Sequence, residues 1–250
     1  MSAALRTQAL SKAFGAFVAN SEISLAFEAG ARHALIGPNG AGKTTFINLL
    51  TGFLAPTAGE VYLGEERVTD LPQHARVKRG MTRTFQINTL FPGLTALESV
   101  VLACCERGGR GGVWWRTVSA ERAAIDAARE ILAQVRLDRD ADTATRALPY
   151  GKQRLLEIAL ALATRPRVLL LDEPAAGIPS AESAELFNAI AHLPREVTIV
   201  FIEHDMNLVF RFAERITVLV GGLVLVEGTP EEIARDPRVR EVYLGEAQHG

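Results

Sequence analysis

The chain has 250 residues, of which 48% are hydrophobic and 22% charged, with a formal net charge of −2 at pH 7. That length suits one α/β domain or a core with a subdomain, and the composition is that of an ordinary globular protein. The charge gives no general electrostatic attraction to nucleic acid, and the longest apolar run, 216–226, is broken by Gly221-Gly222 and falls short of the ~20 residues a membrane helix needs.

In chain order, the first residues set Arg6 and Lys12 among short apolar patches without a signal-peptide core, so a cytoplasmic location is expected. Residues 5–27 read as short strands with turn signals at Gly15 and Asn20-Ser21. An apolar run, His33-Ala34-Leu35-Ile36, then leads into Gly37-Pro38-Asn39-Gly40-Ala41-Gly42-Lys43-Thr44 and on to Thr45 and Phe46-Ile47-Asn48-Leu49-Leu50. This is G-x-x-x-x-G-K-[ST] in its strand–loop–helix context. Glycines allow a tight loop whose N–H groups, with a helix N-terminus, point at one anion. Residues 37–45 are therefore candidate binders of ATP or GTP, with Lys43 reaching the β- and γ-phosphates and Thr44 ligating Mg²⁺.

Residues 60–63 predict another strand and 64–67 a turn, so a small, partly antiparallel sheet is expected around the phosphate loop. Residues 94–105 and 119–135 carry a helical period. Between them Arg107-Gly108-Gly109-Arg110-Gly111-Gly112-Val113-Trp114-Trp115 reads as a flexible loop, since a single short Arg-Gly occurrence is weak support for RNA binding. Adjacent Cys104 and Cys105 read as free thiols. Beyond 167 the α/β alternation returns: a buried parallel strand at 168–171, a helix at 181–192, a strand at 197–202, a short helix at 206–212, a hairpin around Gly221-Gly222 and a helix start at 230–234.

The strand at 168–171 ends in Asp172-Glu173-Pro174. Two acids at the carboxyl end of a buried strand supply what a phosphate-loop enzyme needs: Asp172 to hold Mg²⁺, Glu173 to orient and polarise water. Ahead of them lies Leu148-Pro149-Tyr150-Gly151-Lys152-Gln153-Arg154. This resembles the signature motif of ABC-transporter ATPases, usually Leu-Ser-Gly-Gly-Gln, and its Tyr-Gly form looks like the branched-chain amino acid importers. Gly151 and Gln153 keep the pattern, and Pro149 stands in place of the Ser.

The resemblance covers nearly the whole chain. It implies an α/β P-loop NTPase fold of the ABC type with an antiparallel β subdomain and a helical subdomain: 1–87 and 164–250 as core, 88–163 as helical subdomain. It also implies that Phe14 stacks on adenine, that Gln86 contacts Mg²⁺ or water and senses the transmembrane partner, and that His204 contacts the γ-phosphate. Glu203-His204-Asp205-Met206, Glu227-Gly228-Thr229-Pro230 and Tyr243-Leu244-Gly245-Glu246-Ala247 look specifically like the branched-chain subfamily. Pro179 departs from the D-loop Asp or Asn of the family.

The resemblance further implies an ATPase with ATP and Mg²⁺ as cofactors, working as two cassettes per dimer, either as a homodimer or paired with a second ABC ATPase. It would sit on permease subunits at the cytoplasmic face of the inner membrane, with a substrate-binding protein as indirect partner and no nucleic acid. The expected cargo is branched-chain amino acids or related amino acids and amides. A soluble ABC-type ATPase not coupled to transport is the alternative. Pro149 supports two readings. Without hydroxyl or N–H it donates nothing to phosphate, which would leave the two sites unequal; equally, it simply starts the signature helix.

Overall fold

The computed structural model describes residues 3–84, 90–107 and 118–246. In chain order the first elements are β1 (Ala3–Phe14), β2 (Phe17–Ile23), β3 (Ala26–Glu28), β4 (Arg32–Ile36), α1 (Lys43–Thr51), β5 (Ala58–Leu63), β6 (Glu66–Arg67), α2 (Gln73–Lys78) and β7 (Met81–Arg83). Three helices follow, α3 (Ala96–Arg107), α4 (Val118–Gln134) and α5 (Tyr150–Ala163). The rest comprises β8 (Val168–Asp172), α6 (Ser180–Ala191), β9 (Thr198–Ile202), α7 (Met206–Phe212), β10 (Arg215–Val220), β11 (Leu223–Gly228), α8 (Pro230–Arg235) and α9 (Pro237–Glu246). They form two compact units, one from Met1–Arg83, Arg167–Pro174 and Arg195–Gly250, the other from Thr84–Pro166 and Ala175–Pro194.

The first unit holds two sheets. One is antiparallel, ordered β2-β1-β5-β6 with β3 also on β1; the other is ordered β11-β10-β4-β9-β8-β7. In the second sheet every neighbouring pair from β10 to β7 is parallel, and β11 closes the edge antiparallel to β10. β4, β8 and β9 are buried at every position, as central parallel strands covered on both faces must be. One hydrophobic cluster joins Leu5, Leu10 and Phe27 of the antiparallel sheet, Phe46, Ile47 and Leu50 of α1, and Leu35, Leu170 and Val200 of the parallel sheet. The C-terminal end of α1 is fastened by Arg76. Its guanidinium donates to the carbonyls of Leu49 and Leu50 at 2.8 and 2.5 Å, Thr69 at 2.6 Å and Leu71 at 2.9 Å. Burial pushes that guanidinium down to about 10.

The second unit is helical. α3, α4, α5 and α6 pack together, with Val100, Ala128, Leu132, Leu156 and Phe187 fully buried. Within α5, Arg154 donates to Glu157 at 2.8 Å and to the Tyr150 hydroxyl at 2.6 Å, while burial pushes the Glu157 carboxyl up. Cys104 is buried and Cys105 half-buried, both free thiols. Among the described residues no helix is long and apolar enough to cross a membrane.

Two turn readings are corrected. The first turn falls at Gly15-Ala16, and β2 continues through Asn20-Ser21. Asn20 is buried, and its side-chain amide donates to the Gly42 carbonyl at 3.2 Å, so here Asn serves the neighbouring loop instead of a turn. Residues 64–67 are a two-residue turn at Gly64-Glu65 followed by the returning strand β6. α2, β7 and α9 had no counterpart among the predicted elements. Most of the Arg-Gly stretch, with Trp114 and Trp115, lies outside the described residues.

Candidate functional site

β4, β9 and β8 run side by side in register, with Leu35 and Asp172 each opposite Ile202. The loops leaving their carboxyl ends therefore emerge at one edge, the crevice where open α/β sheets take ligands. The loop after β4 is tightly folded. At Gly37 φ is +150°, and a Cβ would stand 2.1 Å from the Leu219 carbonyl oxygen. At Gly42 φ is +94°, and a Cβ would meet the Ala19 carbonyl oxygen at 2.4 Å. No other residue type fits either place without moving backbone.

Neighbouring strands brace this loop. The Ala41 N–H donates to the Pro38 carbonyl at 3.1 Å, and the Gly222 N–H, from the β10–β11 turn, donates to the Ala41 carbonyl at 3.1 Å. Lys43, buried at the start of α1, donates from Nζ to the carbonyls of Gly37 and Pro38 at 2.5 and 2.9 Å. Gly42 caps α1 with no side-chain bond, and the N-terminus of a helix is a place that suits an anion. Asn39, Gly40 and Thr44 are exposed, while Pro38 and Thr45 are partly buried.

Glu173 follows β8 with φ at +48°, a strained setting for a non-glycine residue that is typical of functional positions. Its Oε1 lies 2.8 Å from His204 Nε2, which comes from the end of β9. Glu203, buried beside it, accepts the His204 backbone N–H on its carboxylate at 3.1 Å. Residues 39–45, Glu173 and His204 line one cavity of about 260 Å³, together with Phe17 and Ala19. Asp172 is buried and accepts from Arg83 Nη2 at 2.5 Å.

The structure brings together the phosphate loop, Asp172, Glu173 and His204 within the first unit. Phe14 ends β1, 48% exposed, with the Lys12 ammonium 5.1 Å from its ring centre. Its cross-strand partner Phe17, 64% exposed, is the aromatic that lines the cavity, and nothing in the local sequence sets it apart from Phe14. Gln86 lies outside the described residues. Gly151 and Gln153 belong to α5 in the helical unit. There Pro149 is the N-cap, and its carbonyl accepts the Gln153 N–H at 3.0 Å. The Gly151 N–H donates to Glu182 at 3.3 Å, and a separate cavity of about 480 Å³ is lined by Arg136, Pro149, Gly151, Lys152 and Glu182. Arg83, Asn48, Glu182 and Phe17 carried no motif that would have marked them in the sequence.

A phosphate loop facing a strained acid and its histidine across one cavity defines a phosphate-loop nucleotide hydrolase. The comparisons narrow the class. The family described as ABC transporter matches residues 20–176, and the one described as branched-chain amino acid ATP-binding cassette transporter matches residues 224–249. The chain is 41% identical to the high-affinity branched-chain amino acid transport ATP-binding protein BraF of Pseudomonas aeruginosa, covering 97% of this chain and 98% of that protein. It is 40% identical to the corresponding LivG of Escherichia coli K12 at the same coverage. Among solved structures, the ADP conformation of MJ1267, an ATP-binding cassette of an ABC transporter, aligns with a TM-score of 0.82 at 29% identity, covering 98% of this chain and 99% of that one. The dimeric structure of MJ0796, a bacterial ABC transporter cassette, aligns at 0.73 and 28%, covering 90% and 98%. The chain belongs to the ABC transporter family and has the fold of its nucleotide-binding ATPase cassette.

Proposed function

We propose that this chain binds and hydrolyses ATP to drive an ABC importer for branched-chain amino acids or related amino acids and amides. The observation that carries the catalytic part is the 2.8 Å approach of Glu173 and His204 on the rim of the phosphate-loop cavity. Import is supported by the family match at residues 224–249 and by the names of the relatives.

In this reading the N–H groups at the start of α1 bind the β- and γ-phosphates, and Lys43 turns its ammonium from the loop carbonyls onto them. The Thr44 hydroxyl and the Asp172 carboxylate are hard oxygen donors of the kind Mg²⁺ prefers, and fit it as ligands with Gln86 as a third. Mg²⁺, when bound, neutralises charge developing on the phosphates. Glu173 orients the attacking water and draws on its proton as the new P–O bond forms and the bond to ADP breaks. His204 holds that carboxylate in place and contacts the γ-phosphate. Phe14, with Phe17 beside it, offers the adenine a stacking surface.

Two such cassettes work as a dimer, as homodimer or with a second ABC ATPase, Gly151 and Gln153 of each closing on the nucleotide of the other. The dimer sits peripherally on permease subunits at the cytoplasmic face of the membrane, a substrate-binding protein delivers cargo from the far side, and nucleic acid has no part. Uptake of labelled leucine, isoleucine and valine by cells carrying Glu173→Gln at the native locus tests this. Loss of uptake with the protein still expressed is expected; unimpaired uptake of all three would remove these amino acids as cargo.

A further inference from the structure

The buried carboxylate of Asp172 does not stand alone. β7 runs parallel to β8, with Arg83 opposite Leu170, and ends at the same edge of the sheet. From there Arg83 donates Nη2 to Asp172 Oδ2 at 2.5 Å and Nη1 to Asn48 Oδ1 at 2.6 Å. The two charged side chains are 12% and 3% exposed. A carboxylate so far from water needs a counter-charge, and the planar guanidinium can hold two acceptors at a fixed angle where an ammonium cannot.

The second acceptor is what makes the pair more than a buried ion pair. Asn48 lies four residues after Thr44 on α1, so the two positions share a helix face. Asn48, Arg83 and Asp172 thus form a bridge from the face of α1 that carries the Thr44 position to the end of β8. The two oxygen donors proposed for the metal come from elements that are distant in sequence, and this bridge spans them.

We propose that Arg83 is a positioning residue for the metal-dependent step, its guanidinium fixing Asp172 against α1 so that the Asp172 and Thr44 donors stand in register before the cation arrives. The inference rests on the reading of Asp172 and Thr44 as Mg²⁺ donors. Outer-shell partners of this type alter metal affinity on the order of 10-fold or more when removed.

The test is equilibrium binding of a fluorescent, non-hydrolysable ATP analogue to the full chain, titrated with Mg²⁺ and repeated in chelator. Arg83→Lys keeps the charge and loses the second bond; Asn48→Ala removes the acceptor and leaves the ion pair. Both are expected to raise the Mg²⁺ concentration at half-effect about 10-fold, the double variant no further than Arg83→Lys alone, with chelator binding within about two-fold of the parent. Asp172→Asn separates the two levels of the argument. If it raises the Mg²⁺ midpoint while both bridge variants leave it unchanged, Arg83 is a structural brace and the proposal falls. If Asp172→Asn also leaves the midpoint unchanged, Asp172 is no metal donor and the proposal falls with that reading. A loss of chelator binding equal to the loss in Mg²⁺ would likewise overturn it, and Asn48→Ala decides alone should Arg83→Lys fail to fold.

Discussion

His33 lies on β4, the strand that feeds the phosphate loop, and is 1% exposed. Its Nε2 meets the Thr217 hydroxyl at 2.7 Å, and its ring stands edge-on to Phe27 with centroids 4.7 Å apart. Burial first, then the charge of Arg215, pushes the imidazole from 6.5 down to about 3. The folded chain keeps His33 neutral where the unfolded chain takes a proton, so stability falls as pH drops below 6.5 and goes on falling to about 3. At pH 5 the group is one and a half pH units below its free value, a loss of about 2 kcal/mol relative to neutral pH at 1.36 kcal/mol per pH unit. In a chain of this size that is about 4–8 °C in Tm. Urea unfolding at pH 7 and pH 5 measures it, comparing the parent with His33→Gln, whose amide can meet Thr217 but does not titrate. Glu157, pushed up by burial, works in the opposite direction, so the difference between the two proteins is the quantity to read. His33→Gln should lose about 2 kcal/mol less than the parent between those pH values; an equal loss in both would refute the reasoning.

Three further outcomes are expected. Glu173→Gln should lower kcat for ATP about 10²–10⁴-fold with nucleotide affinity retained, read by phosphate release alongside equilibrium binding. Gly42→Ala should weaken nucleotide binding severely, because its Cβ would meet the Ala19 carbonyl oxygen at 2.4 Å at a φ that penalises any side chain; calorimetric titration with ATP reads the loss. Arg76→Met should destabilise the fold by about 3 kcal/mol or more in urea, since it removes four hydrogen bonds to backbone carbonyls at the end of α1 and beyond it, of which, among the described residues, only that of Leu49 keeps a second donor, the Gly52 N–H.

The part of the molecule legible in the sequence is the part written in local chemistry. β8 and β9 were legible as continuous apolar runs because strands buried on both faces need no alternation. The phosphate loop was legible because its glycines answer to backbone geometry that other residues cannot adopt. Asn20-Ser21 misleads for the complementary reason. Its turn-forming chemistry is real, but the Asn20 amide is spent on the Gly42 carbonyl, a partner the local sequence does not reveal. β7 was invisible because three residues, Met81-Thr82-Arg83, carry no periodicity, and with it went the Arg83 bridge to Asp172 and Asn48. Glu173 is legible as an acid that follows a buried strand and His204 only through the family resemblance, while their 2.8 Å contact comes from the pairing of β8 with β9. Phe17 carries no local signal that sets it apart from Phe14, its partner across the hairpin, so its place on the cavity wall is legible only in the fold.

The most direct measurement is to capture Glu173→Gln from native membranes in mild detergent with ATP and to identify by mass spectrometry the proteins that accompany it. On the role proposed for Glu173, arrest at the water-activating step should hold the closed assembly together, so two permease subunits with a second cassette, identical or related, are the expected companions. Ribosomal or DNA-repair proteins in place of any membrane protein would contradict the transport assignment while leaving the ATPase chemistry standing.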